Sequence, residues 1–258
     1  MASSVFTLDG VSFSYGKKRI FDGLDLKLRE GVVTTLIGAN GSGKSTLFDL
    51  MTKNLKPQAG RVFLREGDVG AMRLRDFAKL VAVVHQRNFA PPDVTVEGLV
   101  GYGRFPHRAM ARAASTEEDD RMVAWALGIC GLADLAKAPV ASLSGGQCQR
   151  AWIATALAQG TDVLLLDEPT TYLDVRYQLE VLRLVRDLNE KLGMTVVMVL
   201  HDVNQAIHYS QDIVALRDGR IMAQGDARSV VSPGLLRDVY GVKLDVEQVG
   251  GKPFVLAV

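Results

Sequence analysis

Nine consecutive residues, Gly38, Ala39, Asn40, Gly41, Ser42, Gly43, Lys44, Ser45 and Thr46, carry the first sign of chemistry in this chain. Gly41 and Gly43 permit positive φ and close backbone approach, so successive N–H groups can turn onto phosphate oxygens at the positive end of a following helix. In the spacing G-x-x-x-x-G-K-[ST], Lys44 reaches the β- and γ-phosphates and the Ser45 hydroxyl ligates Mg²⁺. A flexible glycine turn is the bland alternative. A second stretch, "VLLLDEPT", ends an apolar run in two acids, Asp167 and Glu168. Neighbouring strand residues point to opposite faces, which gives the acids different tasks: Asp167 to hold Mg²⁺ through its water, Glu168 to polarise an attacking water. By itself such a pair reads as a solvated strand end. The third is "LSGGQ", in which Ser144, Gly145, Gly146 and Gln147 open the run "CQRAWIATALAQG". A serine cap and two glycines before a helix make either a second anion-binding end or a capped helix and nothing more.

These groups need elements to hold them. Val32–Ile37 is a β-branched run of strand type before the glycine loop, and Leu47–Met51 reads as a helix after it. Alternating runs "VFTLDGVSFSYG" and "LDLKL" predict antiparallel strands upstream. "GRVFL" predicts a strand, "RLRDFAKL" a helix and "VAVVH" a buried strand. From Pro91 to about Val140 the β signal disappears, and "STEEDDRMVAWALGICGL" predicts a helix capped by Ser115 or Thr116 with acids in its first turn. Strand character returns at "DVLLLDEP" and "TVVMVLHD", around the helical "VRYQLEVLRLVRDLNEKLG". Apolar strands alternating with helices predict a parallel sheet covered on both faces. The tail predicts a hairpin on Asp218-Gly219, a short helix, and weak strands "LDVEQV" and "FVLAV".

Composition narrows the classes. A net charge of +1 over 258 residues, without a long basic run, argues against nucleic acid as the main partner. No stretch approaches a membrane span, and "MASSVFTLDG" lacks a basic segment followed by an apolar core, so a soluble chain retained where it is made is expected. Two separated cysteines, Cys130 and Cys148, indicate neither a zinc site nor a disulfide framework, in keeping with a reducing cytoplasm.

In order along the chain, "GANGSGKST", the glutamine of "VVHQ", "LSGGQ", "LLLDEPTTYLD" and "VLHD" resemble the nucleotide-binding subunit of an ATP-binding cassette (ABC) transporter, from Tyr15 to about Gly225. The resemblance implies an α/β fold: a P-loop NTPase core with a mixed or parallel sheet, an N-terminal antiparallel β subdomain and a helical insertion. Residues 1–90 and 160–258 would form the core, and 91–159 the helical subdomain carrying LSGGQ. It implies ATP and Mg²⁺ as cofactors, with Tyr15 stacking on adenine and Gln86 sensing Mg²⁺ and the attacking water. His201 would bridge the γ-phosphate and the catalytic region, and Asp174 would lie at a subunit interface. Ser144 and Gly146 would cap the γ-phosphate held by Lys44 of a second copy, so that ATP joins two cassettes and hydrolysis releases them.

A cassette of this kind borrows its membrane span from a permease, placing it on the cytoplasmic face of the membrane, with an extracytoplasmic substrate-binding protein as an indirect partner. "TVEGLVGYGRFPH", "DEPTTYLD", "VLHDVNQA" and "LLRDVYGVKLDVEQV" resemble importers of iron-siderophore complexes, haem and vitamin B12, with iron chelates foremost. An exporter cassette is the nearer rival. A DNA-repair or chromosome-organising ATPase would need a long coiled-coil arm between Gln86 and Leu143, and a translation-factor type would carry two cassettes. Two departures stand out. Cys148 follows LSGGQ where the family more often has a polar residue, which predicts a thiol of lowered pKa in the first helical turn. "REGDVGAMRLRDFAKL" also differs from the family's usual wording, in a region remote from phosphate.

Overall fold

A computed structural model describes residues 3–91, 93–108 and 115–256. The chain forms two compact units, residues 1–72 with 188–258, and residues 73–187. The first begins with β1 (Ser4–Tyr15), β2 (Lys18–Arg29), β3 (Val33–Ile37), α1 (Lys44–Met51), β4 (Ala59–Leu64) and β5 (Gly67–Asp68). The second follows with α2 (Leu74–Phe77), β6 (Val81–Val84), α3 (Val96–Gly101), α4 (Glu117–Ile129), α5 (Gly145–Ala158), β7 (Val163–Asp167) and most of α6 (Val175–Leu192). The chain then returns to the first unit through β8 (Thr195–Val199), α7 (Val203–Tyr209), β9 (Asp212–Arg217), β10 (Arg220–Asp226), α8 (Ala227–Val230), α9 (Pro233–Tyr240), β11 (Asp245–Val249) and β12 (Lys252–Leu256).

In the first unit β3 is the spine. It pairs in parallel with β8 (Val33 opposite Val196) and with β9 (Leu36 opposite Val214), and every residue of β3 and β8 is buried. Continuous burial is what a parallel strand covered on both faces requires, and it explains the apolar run that follows Thr195 in "TVVMV". A separate antiparallel sheet has the order β2-β1-β4-β5, and its alternating burial matches the alternating sequence of a sheet with one wet face. Arg29 on β2 donates from Nε to Asp212 Oδ2 on β9 at 2.6 Å, with a second bond from Nη2 to Oδ1. The hairpin at Asp218-Gly219 forms as expected, with φ of 47° and 72° at its two central residues and Arg217 facing Arg220.

In the second unit β6 and β7 pair in parallel, Val81 opposite Val163, and α3, α4 and α5 pack on one another. Thr116, rather than Ser115, caps α4: it accepts from Asp119 N–H at 3.1 Å while Asp119 accepts from Thr116 N–H at 3.2 Å. The helix expected over "RLRDFAKL" shrinks to the single turn of α2. Arg73 provides no side-chain cap, and Leu74 is exposed, so little beyond the burial of Phe77 supports a longer helix. The strand expected from Phe254 to Val258 is seen to Leu256; residues 257 and 258, and residues 92 and 109–114 of the expected helical stretch, lie outside the described residues. Among the described residues no helix is long and apolar enough to cross a membrane.

Candidate functional site

The glycine loop sits where β3 ends and α1 begins, in the first unit. Gly38, Gly41 and Gly43 have φ of 152°, 80° and 109°, a backbone that L side chains rarely adopt. A Cβ at Gly38 would lie 2.3 Å from the Leu216 carbonyl oxygen, and one at Gly43 would lie 3.0 Å from the Phe21 ring. Gly38 therefore demands glycine for space as well as for φ, while Gly43 demands it for φ and leaves only a tight fit against Phe21. Gly43 caps α1 with no side-chain hydrogen bond, so no side chain competes for the N–H groups of its first turn. Lys44, only 5% exposed, donates from Nζ to the carbonyls of Gly38 at 2.7 Å and Ala39 at 3.1 Å. The Ala39 carbonyl also accepts from Ser42 N–H at 3.1 Å, and the Ser42 carbonyl from Gly219 N–H at 3.0 Å. The loop is thus closed on itself around a buried cation, with the uncapped amides of a helix beside it. Such a cradle fits the polyphosphate of a nucleotide.

Asn40 and Gly41 occupy the exposed crest of that loop, and Ser45 and Thr46 are the second and third residues of α1. Tyr15 closes β1 in the same unit, 49% exposed and edge-on to Phe13 at 4.9 Å between centroids. A half-exposed aromatic ring of this kind is suited to stacking. His201, exposed, lies between β8 and α7, directly before Asp202, whose Oδ1 caps α7 by accepting from Gln205 N–H at 3.0 Å.

The second unit gathers the acids. Asp167 is the last residue of β7, and Glu168 follows it with φ of 48°. The expectation of two adjacent strand residues on opposite faces therefore needs correction: the backbone leaves the strand at Glu168, and a left-handed turn, not the pleat, separates the two carboxyl groups. Glu168 Oε2 accepts from Thr171 Oγ1 at 3.0 Å and from Gln86 Nε2. Gln86, one residue beyond His85 at the end of the β6 stretch, is thereby brought onto Glu168 from 82 residues away. Among the described residues no group of three His, Cys, Asp or Glu side chains converges as a metal cage. Mg²⁺ at nucleotide sites is held by few protein groups together with phosphates and water, and the hydroxyl of Ser45 and the carboxylate of Asp167 are oxygen donors of the right kind.

Ser144 caps α5 in a complete capping box: its Oγ accepts from Gln147 N–H at 3.3 Å, and Gln147 Oε1 accepts from Ser144 N–H at 2.9 Å. Gly145 and Gly146 form the first turn. A Cβ at Gly146 would lie 2.4 Å from the Tyr177 ring, so this glycine is needed for close approach to α6. Asp174 caps α6 by accepting from Tyr177 N–H at 3.1 Å. Ser144 and Asp174 are thus engaged at the starts of their own helices.

The thiol after LSGGQ corrects an expectation. Cys148 is half-buried, and burial raises its pKa above the ordinary value, outweighing the lowering effect of its contact with Trp152. Cys130 is more deeply buried and pushed up to about 12. Three partners had no separate signal in the sequence: Thr171, Tyr177 and the Leu216 carbonyl. Only the adjacency of Thr170 and Thr171 to the acid pair could have pointed to the first.

The family model described as ABC transporter matches residues 21–171. The chain is 43% identical over 236 residues to the Iron(3+)-hydroxamate import ATP-binding protein FhuC of Bacillus subtilis (strain 168), covering 92% of this chain and 87% of that protein. It is 38% identical over 260 residues to the Ferric enterobactin transport ATP-binding protein FepC of Escherichia coli (strain K12), covering 99% and 96%. Among solved structures, one of a metal-chelate type ABC transporter in an inward-facing conformation superposes with a TM-score of 0.84 at 28% identity, covering 98% of this chain and 96% of that one. The dimeric post-hydrolysis state of the ATP-binding cassette MJ0796 bound to ADP and Pi superposes with a TM-score of 0.73 at 28% identity, covering 87% and 99%.

Proposed function

Because this chain belongs to the ABC transporter family, we propose that it is the ATP-hydrolysing subunit of an importer for iron-siderophore complexes. The observation that carries the reading is the convergence of Gln86 and Thr171 on the Oε2 atom of Glu168 at the end of β7. That arrangement orients one carboxylate as an acceptor for the proton of a water. Lys44, now bound to two loop carbonyls, is the cation that would exchange them for the β- and γ-phosphates. The loop amides from Gly38 to Thr46 would hold the phosphate oxygens, Tyr15 the adenine, and His201 the γ-phosphate. Ser45 and Asp167, with Gln86 near them in role, would hold Mg²⁺, which neutralises phosphate charge when bound.

Ser144, Gly145, Gly146, Gln147 and Asp174 are assigned to the ATP of a second copy, as in a sandwich of two cassettes. The dimeric neighbour bound to ADP and Pi supports that assembly. Residues 91–159 would be the helical subdomain, with residues 1–90 and 160–258 as the core. Exposed Tyr102 and Phe105 support an apolar contact between this region and a membrane permease. The chain would then work at the cytoplasmic face of the membrane, served indirectly by an extracytoplasmic substrate-binding protein. The hydroxamate and enterobactin relatives favour iron chelates over haem or vitamin B12 as cargo.

The test is uptake of radioactive iron, supplied as several siderophore chelates, by cells whose only copy of this protein carries Glu168→Gln. Loss of one chelate with the others unaffected is expected. Unchanged uptake of all of them would sink the iron-siderophore assignment while leaving ATP hydrolysis standing.

A further inference from the structure

Tyr240, the last residue of α9, plays no part in the chemistry assigned above. The helix buries Leu236 and Val239 and stops at Gly241, which is left-handed with φ of 75°. Arg217 donates to the Asp238 carbonyl and fastens the final turn of α9 to the end of β9. The residue before it, Leu216, supplies the carbonyl that lies 2.3 Å from where a Gly38 Cβ would stand. The end of β9, the last turn of α9 and the first residue of the phosphate loop therefore meet at one point.

Two hydroxyls are buried there. Tyr240 Oη and Ser42 Oγ are both sealed from solvent, and among the described residues neither has a partner in hydrogen-bond geometry. Ser42 Oγ lies 2.7 Å from the Cβ position of Gly38, and the Tyr240 hydroxyl lies beside the Gly38 N–H, close enough for that amide to favour its ionised form but short of full hydrogen-bond geometry, with the Asp202 carboxylate also close enough to be felt. Burial pushes the Tyr240 hydroxyl up to about 12, so it is neutral and keeps its proton across the physiological range. An unpaired hydroxyl sealed in a fold is unfavourable, and here two of them border the same glycine of a loop built to receive a ligand.

We propose that Tyr240 is a positioning residue for the phosphate loop: its hydroxyl completes a hydrogen bond with the Gly38 backbone when the loop tightens on the triphosphate. Through it α9 braces the loop in its binding geometry. Asp202, whose charge is felt at the hydroxyl, follows His201, so the same helix end also borders the segment assigned to the γ-phosphate. The inference rests on the reading of this loop as an ATP site.

The experiment compares the full-length chain with Tyr240→Phe, which keeps the ring and removes only the hydroxyl. Mg-ATP dissociation constants and nucleotide-free thermal midpoints are measured for both. The variant is expected to bind Mg-ATP about 3- to 10-fold more weakly, the effect of one hydrogen bond, while its nucleotide-free midpoint stays level or rises because an unpaired buried hydroxyl is gone. A purely structural tyrosine would give the reverse pattern. Equal dissociation constants, or a fall in the nucleotide-free midpoint, would overturn the proposal. Wild-type protein that fails to bind Mg-ATP would overturn the ATP reading itself. Amide exchange of the wild type is a second test that does not depend on the variant: Mg-ATP should slow exchange across residues 236–241, and no change there would also count against the brace.

Discussion

Glu168 illustrates how one backbone angle assigns a task. Its φ of 48° costs about 1–3 kcal/mol for a residue with a side chain, and it turns the carboxylate out of the strand to where Thr171 and Gln86 reach it. Asp167, one residue earlier, keeps the strand's direction, so the two acids part at a turn. Cys148 shows the opposite case, in which position suggests a reactivity that burial removes. A helix N-terminus lowers a thiol pKa, but half-burial of this one raises it, and the net direction is upward. Maleimide applied to the folded protein at neutral pH is therefore expected to modify Cys148 and Cys130 at well under a tenth of the rate seen after unfolding, read by intact mass. Rapid modification of Cys148 in the folded chain would show that the helix end dominates.

At the scale of elements, two helices begin beside glycines and are built differently. Gly43 starts α1 without a side-chain cap, whereas Ser144 and Gln147 close a capping box on α5. The difference was legible in the residue types, since glycine cannot cap with a side chain and serine followed by glutamine three places on can. The joint between the two sheets of the first unit was not legible. Arg29 and Asp212 are 183 residues apart, and Asp212 is only 3% exposed. Removing one partner of a buried pair leaves the other uncompensated, so Asp212→Ala is expected to lose about 3–5 kcal/mol of stability in urea unfolding, discounted toward the lower figure because Arg29 is partly exposed. A loss below about 1 kcal/mol would mean that the pair adds no more than a surface contact.

For the whole molecule, the prediction concerns assembly. Glu168→Gln should keep ATP bound and lower turnover by about 10²-fold or more, the scale of a general base. With hydrolysis stalled, the ATP-bound variant should double its mass in light scattering, and a further Ser144→Arg change should return it to the monomer while leaving ATP bound at Lys44. A Glu168→Gln protein that hydrolyses at the normal rate would remove Glu168 from its role. Much of this could be foreseen from local wording. The glycine loop, the strand ending in two acids, the capped helices and the Asp218-Gly219 hairpin depend on φ preferences, periodicity and hydrogen bonds within a few residues, and these act the same way wherever the segment lies. The tertiary structure alone decided the rest. Gln86 meets Glu168, Gly146 needs its missing Cβ because Tyr177 is there, and Tyr240 arrives at Gly38 from 202 positions along the chain. Each is a meeting between segments far apart in sequence, set by how the sheets and helices pack, and the residues on either side carry no local mark of the partner they will find.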